Sequence, residues 1–437
     1  IRPGDPRSPT LGAFLLRLAE ERPDLTIRVL VWAMGPIYSG KSLKMFRKRR
    51  WSSHPRIVLA FDSRHPLRGS HHQKFVVADD RVAFVGGIVL TAKRWDTSEH
   101  RVDDPRRILP SGKPYEPVHD MQVALEGEAA RLAGDIARRR WLFATDEAVP
   151  VPEKPADIRL DGLVPDMMKV DVAFARTEPA IRGRAAATEA MDLTVAALRA
   201  ARRHIYIESQ YFASKRVCDV LCERLAEPDG PEVVVISTLS SHGPIERLVL
   251  GANRDRFVRR LARCDVHGRM RAFYPVVPKA DGTEQEIVVH SKLVIVDDGF
   301  LRIGSSNLNQ RSEALDTELD IAVEASNPAQ RRSIRCATGC WPSISMRTSR
   351  RSARRRGQKA RWSGRSMPST GRRADCDRSA MPHERAPWRP CSEPASSTPS
   401  RPGGRSRSGW TARARSCTVS SGCCATRFRP SRRPRPR

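Results

Sequence analysis

An internal repeat limits the fold of this chain more than any other feature. Residues 72–86 read H-Q-K-F-V-V-A-D-D-R-V-A-F-V-G, and residues 290–304 read H-S-K-L-V-I-V-D-D-G-F-L-R-I-G. His, Lys, both Asp and Gly fall at the same offsets, the positions between them match in apolar character, and the copies lie 218 residues apart. Repetition of one supersecondary unit predicts two structurally related halves. Within each unit, two apolar runs flank an Asp-Asp pair. This predicts a β-hairpin turning at Asp79-Asp80 and again at Asp297-Asp298.

Strand geometry then says which side chains act together. Residues two apart share a face, so His72 and Lys74 point one way, as do His290 and Lys292, with Phe75 and Val77 turned to the opposite side. If the halves pack about a pseudo-twofold axis, two histidines and two lysines meet in one pocket. That set suits phosphodiester cleavage. One imidazole attacks phosphorus, the other protonates the leaving oxygen and later activates water or an alcohol, and the lysines offset phosphoryl charge. No metal and no cofactor are expected. The repeat puts Asp79 and Asp297 among the candidate catalytic residues. They sit at an odd offset from their histidines and open a turn, so geometry favours a structural role. After the second copy, Gly304-Ser305-Ser306-Asn307 offers small residues, with Ser305 and Asn307 as hydrogen-bond donors to a phosphate.

The rest of the chain reads as alternating strands and helices, an α/β architecture with parallel or mixed sheets. Strands are predicted at Thr26–Ala33, Arg56–Phe61 and Val123–Leu125, and helices at 11–22 and Glu128–Thr145. A polar loop is predicted over 96–118. A Pro-rich linker over 146–160 divides a first lobe, 1–150, from a second, 160–330. The second lobe reads as helices at Ala185–Arg202, Lys215–Leu225 and Ile245–Cys264. Its strands fall at His204–Glu208, Glu232–Ser237, Ile287–Val296, Phe300–Ile303 and Leu319–Val323. Its cysteines, Cys218, Cys222 and Cys264, read as buried thiols.

On these residues the chain resembles the phospholipase D superfamily. Residues 290–307 carry its H-x-K-x4-D-x6-G-S-x-N signature in full. The phospholipase D branch is suggested by His71-His72-Gln73-Lys74, Gly86-Gly87-Ile88, Arg94-Trp95-Asp96, His119-Asp120 and Ile205–Phe212. The resemblance spans about residues 10–325. It implies two pseudo-symmetric α/β lobes with mixed sheets, and an active site at their interface. It also implies a phosphohistidine intermediate on His72, with Asp120 and Glu318 orienting the two imidazoles. Gly86 and Gly87 fall in the supporting turn. The first half departs from the pattern at Val89, which cannot hydrogen-bond a phosphate. It also lacks a strand like His204–Glu208 ahead of its first helix, which suggests a missing N-terminal stretch and an open sheet edge.

The total charge points elsewhere until it is located. The formal net charge is +29, yet residues 331–437 hold 28 of the 78 Lys+Arg and four of the 49 acids. The preceding residues, with 50 basic against 45 acidic, are close to neutral. The tail has no Leu or Tyr and seven of the ten cysteines. Such a segment buries too little apolar surface to offset chain entropy and is expected to be disordered. Its Arg/Pro/Ser/Cys excess after Gln330 suits a frameshifted reading of GC-rich DNA better than a nucleic-acid-binding arm.

The expected function is therefore hydrolysis or transfer of the phosphatidyl group of phospholipids at a membrane surface. No nucleic acid is expected for the body, and no partner protein is identifiable. A nuclease of the same superfamily is the alternative, opposed by the near-neutral body because binding a phosphate backbone needs a basic surface. A defunct fragment is a third reading, opposed by two intact His/Lys pairs. Without a visible signal peptide or an 18-residue apolar run, a cytoplasmic or peripherally membrane-associated protein is expected.

Overall fold

The computed structural model describes residues 9–34, 50–91, 93–109, 111–153, 158, 160, 163–181, 183–238, 252–337, 345–348 and 412–423. In the first half, helix α1 (Leu11–Glu21) precedes β1 (Ile27–Trp32), β2 (Ile57–Asp62), β3 (Phe75–Ala78) and β4 (Val82–Gly86). After them come β5 (Val118–His119), β6 (Met121–Gly127) and α2 (Glu128–Thr145). The second half opens with β7 (Met167–Glu178), β8 (Ala187–Thr188), α3 (Glu189–Ala200), β9 (His204–Ser209), β10 (Phe212–Ala213) and α4 (Lys215–Ala226). Next are β11 (Glu232–Ile236), α5 (Ala252–Cys264), β12 (Met270–Pro278), β13 (Glu284–Glu286) and β14 (Val288–Val289). It continues with β15 (Lys292–Val296), β16 (Phe300–Gly304), β17 (Leu308–Asn309), α6 (Gln310–Ala314), β18 (Glu318–Glu324) and α7 (Pro328–Ala337). Strands β19 (Ser345–Thr348) and β20 (Ala412–Cys423) follow.

Local sequence accounts for these elements. Helix α4 starts where the Ser214 hydroxyl accepts from Val217 N (3.1 Å), a side-chain cap for an otherwise orphan N–H. Its buried Val217, Val220, Leu221 and Leu225 recur at helical spacing along one face. Both predicted hairpins form. β3 pairs antiparallel with β4, and β15 with β16. Asp79, Asp80, Asp297 and Asp298 all lie in the left-handed region (φ 47° to 56°). A two-residue turn that follows strand twist needs positive φ at both central positions, and Asp tolerates it.

The α/β reading describes the architecture, and the sheet is mixed. β9, β11 and β12 run parallel, whereas β15, β16, β18 and β7 continue antiparallel. The sheet is one path from β13 to β3, with β20 between β7 and β6. It turns back on itself, so that β4 and β6 pack against β16 and β18. One core is therefore shared by both halves, with Val85, Val123 and Leu125 from the first and Leu293, Ile303 and Ile321 from the second. A second core lies under α3, α4 and α5 and is built from the second half alone.

Four expectations are corrected. The sequence reading passed over β7, a 12-residue strand whose Lys169, Asp171 and Arg176 mask the alternation of Val170, Val172 and Phe174. Cys222 and Cys264 form a disulfide, because α4 and α5 bring their Cα atoms to 5.2 Å; Cys218 is buried and free. The tail is not structureless where it is described: α7 runs through residue 331, and β19 and β20 are paired strands. Backbone pairing across the gap between β6 and β7 makes a strand of β20 despite its poor composition. The lobes share their main sheet, which β20 joins, while β1 and β2 form a separate two-stranded sheet in the first half. The rest of the tail, the start of the helix predicted from Ile245 and residues 154–157 and 159 of the predicted linker lie outside the described residues.

The halves also differ at one edge. β15 has β9 on one side and β16 on the other and is buried throughout, whereas β3 pairs, among the described residues, with β4 alone and leaves Val76 46% exposed.

Candidate functional site

The two histidines stand just before the hairpin strands β3 and β15, and backbone contacts cross between the halves to hold them. The His72 N–H donates to the Thr317 carbonyl (3.0 Å), and the His290 N–H to the His119 carbonyl (2.7 Å). Each contact ties one half's histidine to the residue preceding a carboxylate of the other half. The side chains follow the same rule. His72 Nδ1 donates to Glu318 Oε2 (2.9 Å), and His290 Nδ1 to Asp120 Oδ2 (2.7 Å). Each Nε2 is left without a hydrogen-bond partner among the described residues.

The lysines fold back in the same way in both copies. Lys74 Nζ donates to the His72 carbonyl (2.6 Å), and Lys292 Nζ to the His290 carbonyl. Strand parity thus describes both pairs. The copies differ in exposure: the His72 side chain is 26% exposed and that of His290 4%.

Burial dominates the electrostatics. It holds the His72 imidazole below the usual histidine range, against the pull of Glu318. It holds His290 well below that range, with Lys292 and Arg94 adding to the shift. Desolvation lowers Lys74 to about 8, although Glu318 favours its charge, and lowers Lys292 to about 7, although Asp120 does. Asp120 is pushed up to about 6 by the same burial, with Lys292 opposing. Lys74, Lys292 and His72 all act on His290, so the four side chains share one electrostatic site.

Glu318 is fully buried and also accepts from Ser305 Oγ and Ser312 Oγ, each at 2.6 Å. Ser305, expected to face a phosphate, instead orients this carboxylate, and it accepts from Leu319 N (3.0 Å) as well. The role of Ser312 went unassigned in the sequence. It lies in α6, capped by Asn309, and nothing in its spacing tied it to Glu318. Asn307 is buried, with its Oδ1 unpartnered among the described residues.

The glycines permit close approach. A Cβ on Gly87 would lie 2.1 Å from Asp120 Oδ1 and 3.0 Å from the His290 carbonyl, so only Gly lets this turn sit against the His290–Asp120 pair. A Cβ on Gly86 would lie 2.5 Å from the Met121 carbonyl. Asp79 and Asp297 are not brought to the site, which corrects their place among candidate catalytic residues. Both lie in the hairpin turns. Asp297 accepts from the backbone N–H groups of Arg202, Arg203 and His204 (2.7, 2.7 and 2.9 Å), fixing the start of β9.

Known proteins share parts of this sequence and fold. Residues 194–334 match the family model described as cardiolipin synthase, PLD-like domain. The chain is 25% identical to phospholipase D A of Dictyostelium discoideum over 370 residues, covering 68% of this chain and 27% of that one. It is 26% identical to a cardiolipin synthase of Halalkalibacterium halodurans, covering 59% of this chain and 43% of that one. Among solved structures, phosphatidylserine synthase of Haemophilus influenzae aligns with a TM-score of 0.47 at 14% identity, over 76% of this chain and 77% of that one. The chain spans about a quarter of the length of the first curated relatives it matches. The family match over residues 194–334 and these relatives agree with the motif in each half: the chain is similar to proteins of the phospholipase D superfamily.

Proposed function

We propose that the chain is a phosphodiesterase that hydrolyses or transfers the phosphatidyl group of phospholipids through a phosphohistidine. The observation that carries this reading is the reciprocal pairing of His72 with Glu318 and of His290 with Asp120. In it, Nδ1–H of each ring is fixed on a carboxylate and Nε2 is available for chemistry.

His72 is the nucleophile in this reading, and its greater exposure supports that choice. Its Nε2 attacks phosphorus as the bond from phosphorus to the head-group oxygen breaks. His290 gives a proton from Nε2 to that leaving oxygen, then takes one from water or an alcohol that attacks phosphorus as its bond to His72 Nε2 breaks. His290 is uncharged at rest near neutral pH. An entering phosphate anion favours its imidazolium form, which Asp120 balances. Lys74 and Lys292 lie where equatorial phosphoryl oxygens gain charge. Two loop residues beside the β3–β4 hairpin, Leu67 (92% exposed) and Leu90 (67%), offer apolar contact to a lipid surface.

Phosphatidylcholine vesicles with ethanol and EDTA test the reading. Phosphatidic acid and phosphatidylethanol are expected, and both are lost in His72→Ala and His290→Ala. A folded chain that makes neither product overturns the phospholipid assignment.

A further inference from the structure

The halves differ at the place where a substrate phosphate would be held. Ser305 and Asn307 stand fifteen and seventeen positions beyond His290, and the same offsets from His72 fall on Gly87 and Val89. Gly87 cannot carry a side chain, because Asp120 occupies that space. Val89 has no donor. The first half therefore brings no neutral hydrogen-bond donor to these positions.

It brings Arg94 instead. The segment holding Arg94 is fixed two residues later by Asp96, which is fully buried. The Asp96 carboxylate accepts from Val118 N (2.8 Å), His100 Nδ1 (2.9 Å) and Arg107 Nη1 (3.1 Å). Val118 opens β5, which pairs with β14 directly before His290. Arg94 is thus tethered to the two strands that lead into Asp120 and His290. Its Nε is buried without a hydrogen-bond partner, and no ion pair holds its guanidinium among the described residues. The nearby carboxylates are taken by the histidines. The charge of Arg94 acts on Lys74, Asp120, His290 and Lys292. Asp120 and Glu318 act electrostatically on Lys74 and Lys292, and Arg94 acts on Asp120. Among the described residues no carboxylate forms a salt bridge with Arg94, whose buried Nε is unpartnered, and a phosphodiester carries one negative charge.

We propose that Arg94 is a substrate-binding residue that holds a non-bridging phosphate oxygen on the first-half side, where the second half carries Asn307. The proposal rests on the phosphodiesterase reading. A planar guanidinium suits two oxygens of one phosphate, and it keeps its charge at pH values where buried lysines lose theirs.

The test uses the full chain with two probes, binding of inorganic phosphate by calorimetry and cleavage of bis(p-nitrophenyl) phosphate. Arg94→Ala and Arg94→Gln are expected to weaken phosphate binding and raise KM at least tenfold with a smaller change in kcat. Arg94→Lys should recover part of the loss, and Arg101→Ala, an exposed change on the same loop, should match wild type. Thermal melts establish that each variant is folded. Wild-type phosphate affinity and KM in folded Arg94→Ala or Arg94→Gln would overturn the proposal, as would a wild-type chain that binds no phosphate. Arg94-dependent phosphate binding without cleavage of either the soluble diester or phospholipid would sink the phosphodiesterase reading and leave the anion site standing.

Discussion

The imidazole of His72 rests 2.9 Å from the carboxylate of Glu318, a residue 246 positions later in the chain. The mirror relationship joins His290 to Asp120. Neither half can therefore prepare its own histidine, which makes the pocket a property of both halves together. Glu318→Gln and Asp120→Asn keep the shape but lose the charge that fixes the Nδ1–H tautomer and stabilises imidazolium. Each should lower kcat by on the order of 100-fold, in line with a lost general acid or base, with KM little changed. Steady-state kinetics on bis(p-nitrophenyl) phosphate checks this. A kcat within threefold of wild type in either variant would show that the carboxylates do not orient the rings.

The proposed mechanism predicts that the lysines set the alkaline limit of activity. Lys292 titrates at about 7 and Lys74 at about 8 in the free site, both below the ordinary lysine value because of burial. In the proposed mechanism the protonated forms hold the phosphate, so that charge is lost as pH rises through these values. On the free enzyme, kcat/KM should fall across pH 7 to 8.5, with KM rising more than kcat falls. Lys292→Arg, which stays charged, should move the first part of that fall to higher pH. A profile flat to pH 9.5 would exclude the lysines as phosphate ligands.

Gly87 separates room from stability. It lies in a turn without positive φ, so Ala is conformationally acceptable there. Its Cβ would nevertheless collide with Asp120 Oδ1. Gly87→Ala should displace the Asp120 carboxylate from His290 and lower kcat tenfold or more. The melting temperature should change by only a few degrees, as for a loss of about 1 kcal/mol. Unchanged kcat with a lowered melting temperature would mean that the turn moves and the pair does not.

Much of this site could be read from the chain because strand parity is a local rule. It puts His72 with Lys74 and His290 with Lys292, and it turns Asp79 and Asp297 away. The α/β alternation was legible for the same reason. What escaped depends on contacts distant in sequence. Ser312 reaches Glu318 only through the turn of α6, Thr317 receives His72 across the halves, and Cys222 meets Cys264 only once α4 and α5 pack. Strand β7 was hidden by charged residues at its ends, and β20 by a composition that no propensity would favour. Asp120 and Glu318 came from family resemblance, since each lies in the half opposite its histidine.

Asp297 offers the sharpest test of parity against motif membership. It belongs to the repeated motif, yet its carboxylate accepts from three backbone N–H groups that fix the start of β9, and its own φ is 54°. Asp297→Ala removes these charge-assisted bonds and puts a residue without local compensation in the left-handed region. The combined cost should be about 3 kcal/mol. Asp297→Asn keeps an acceptor and tolerates that φ, so it should recover more than half of the loss. Because β9 lies beside β15, some drop in expressed, folded protein is expected for Asp297→Ala, whereas kcat per folded molecule should stay within threefold of wild type. Urea denaturation with active-site titration measures both quantities. A kcat loss near that of His290→Ala in folded protein would return Asp297 to the chemistry and defeat the argument from strand geometry.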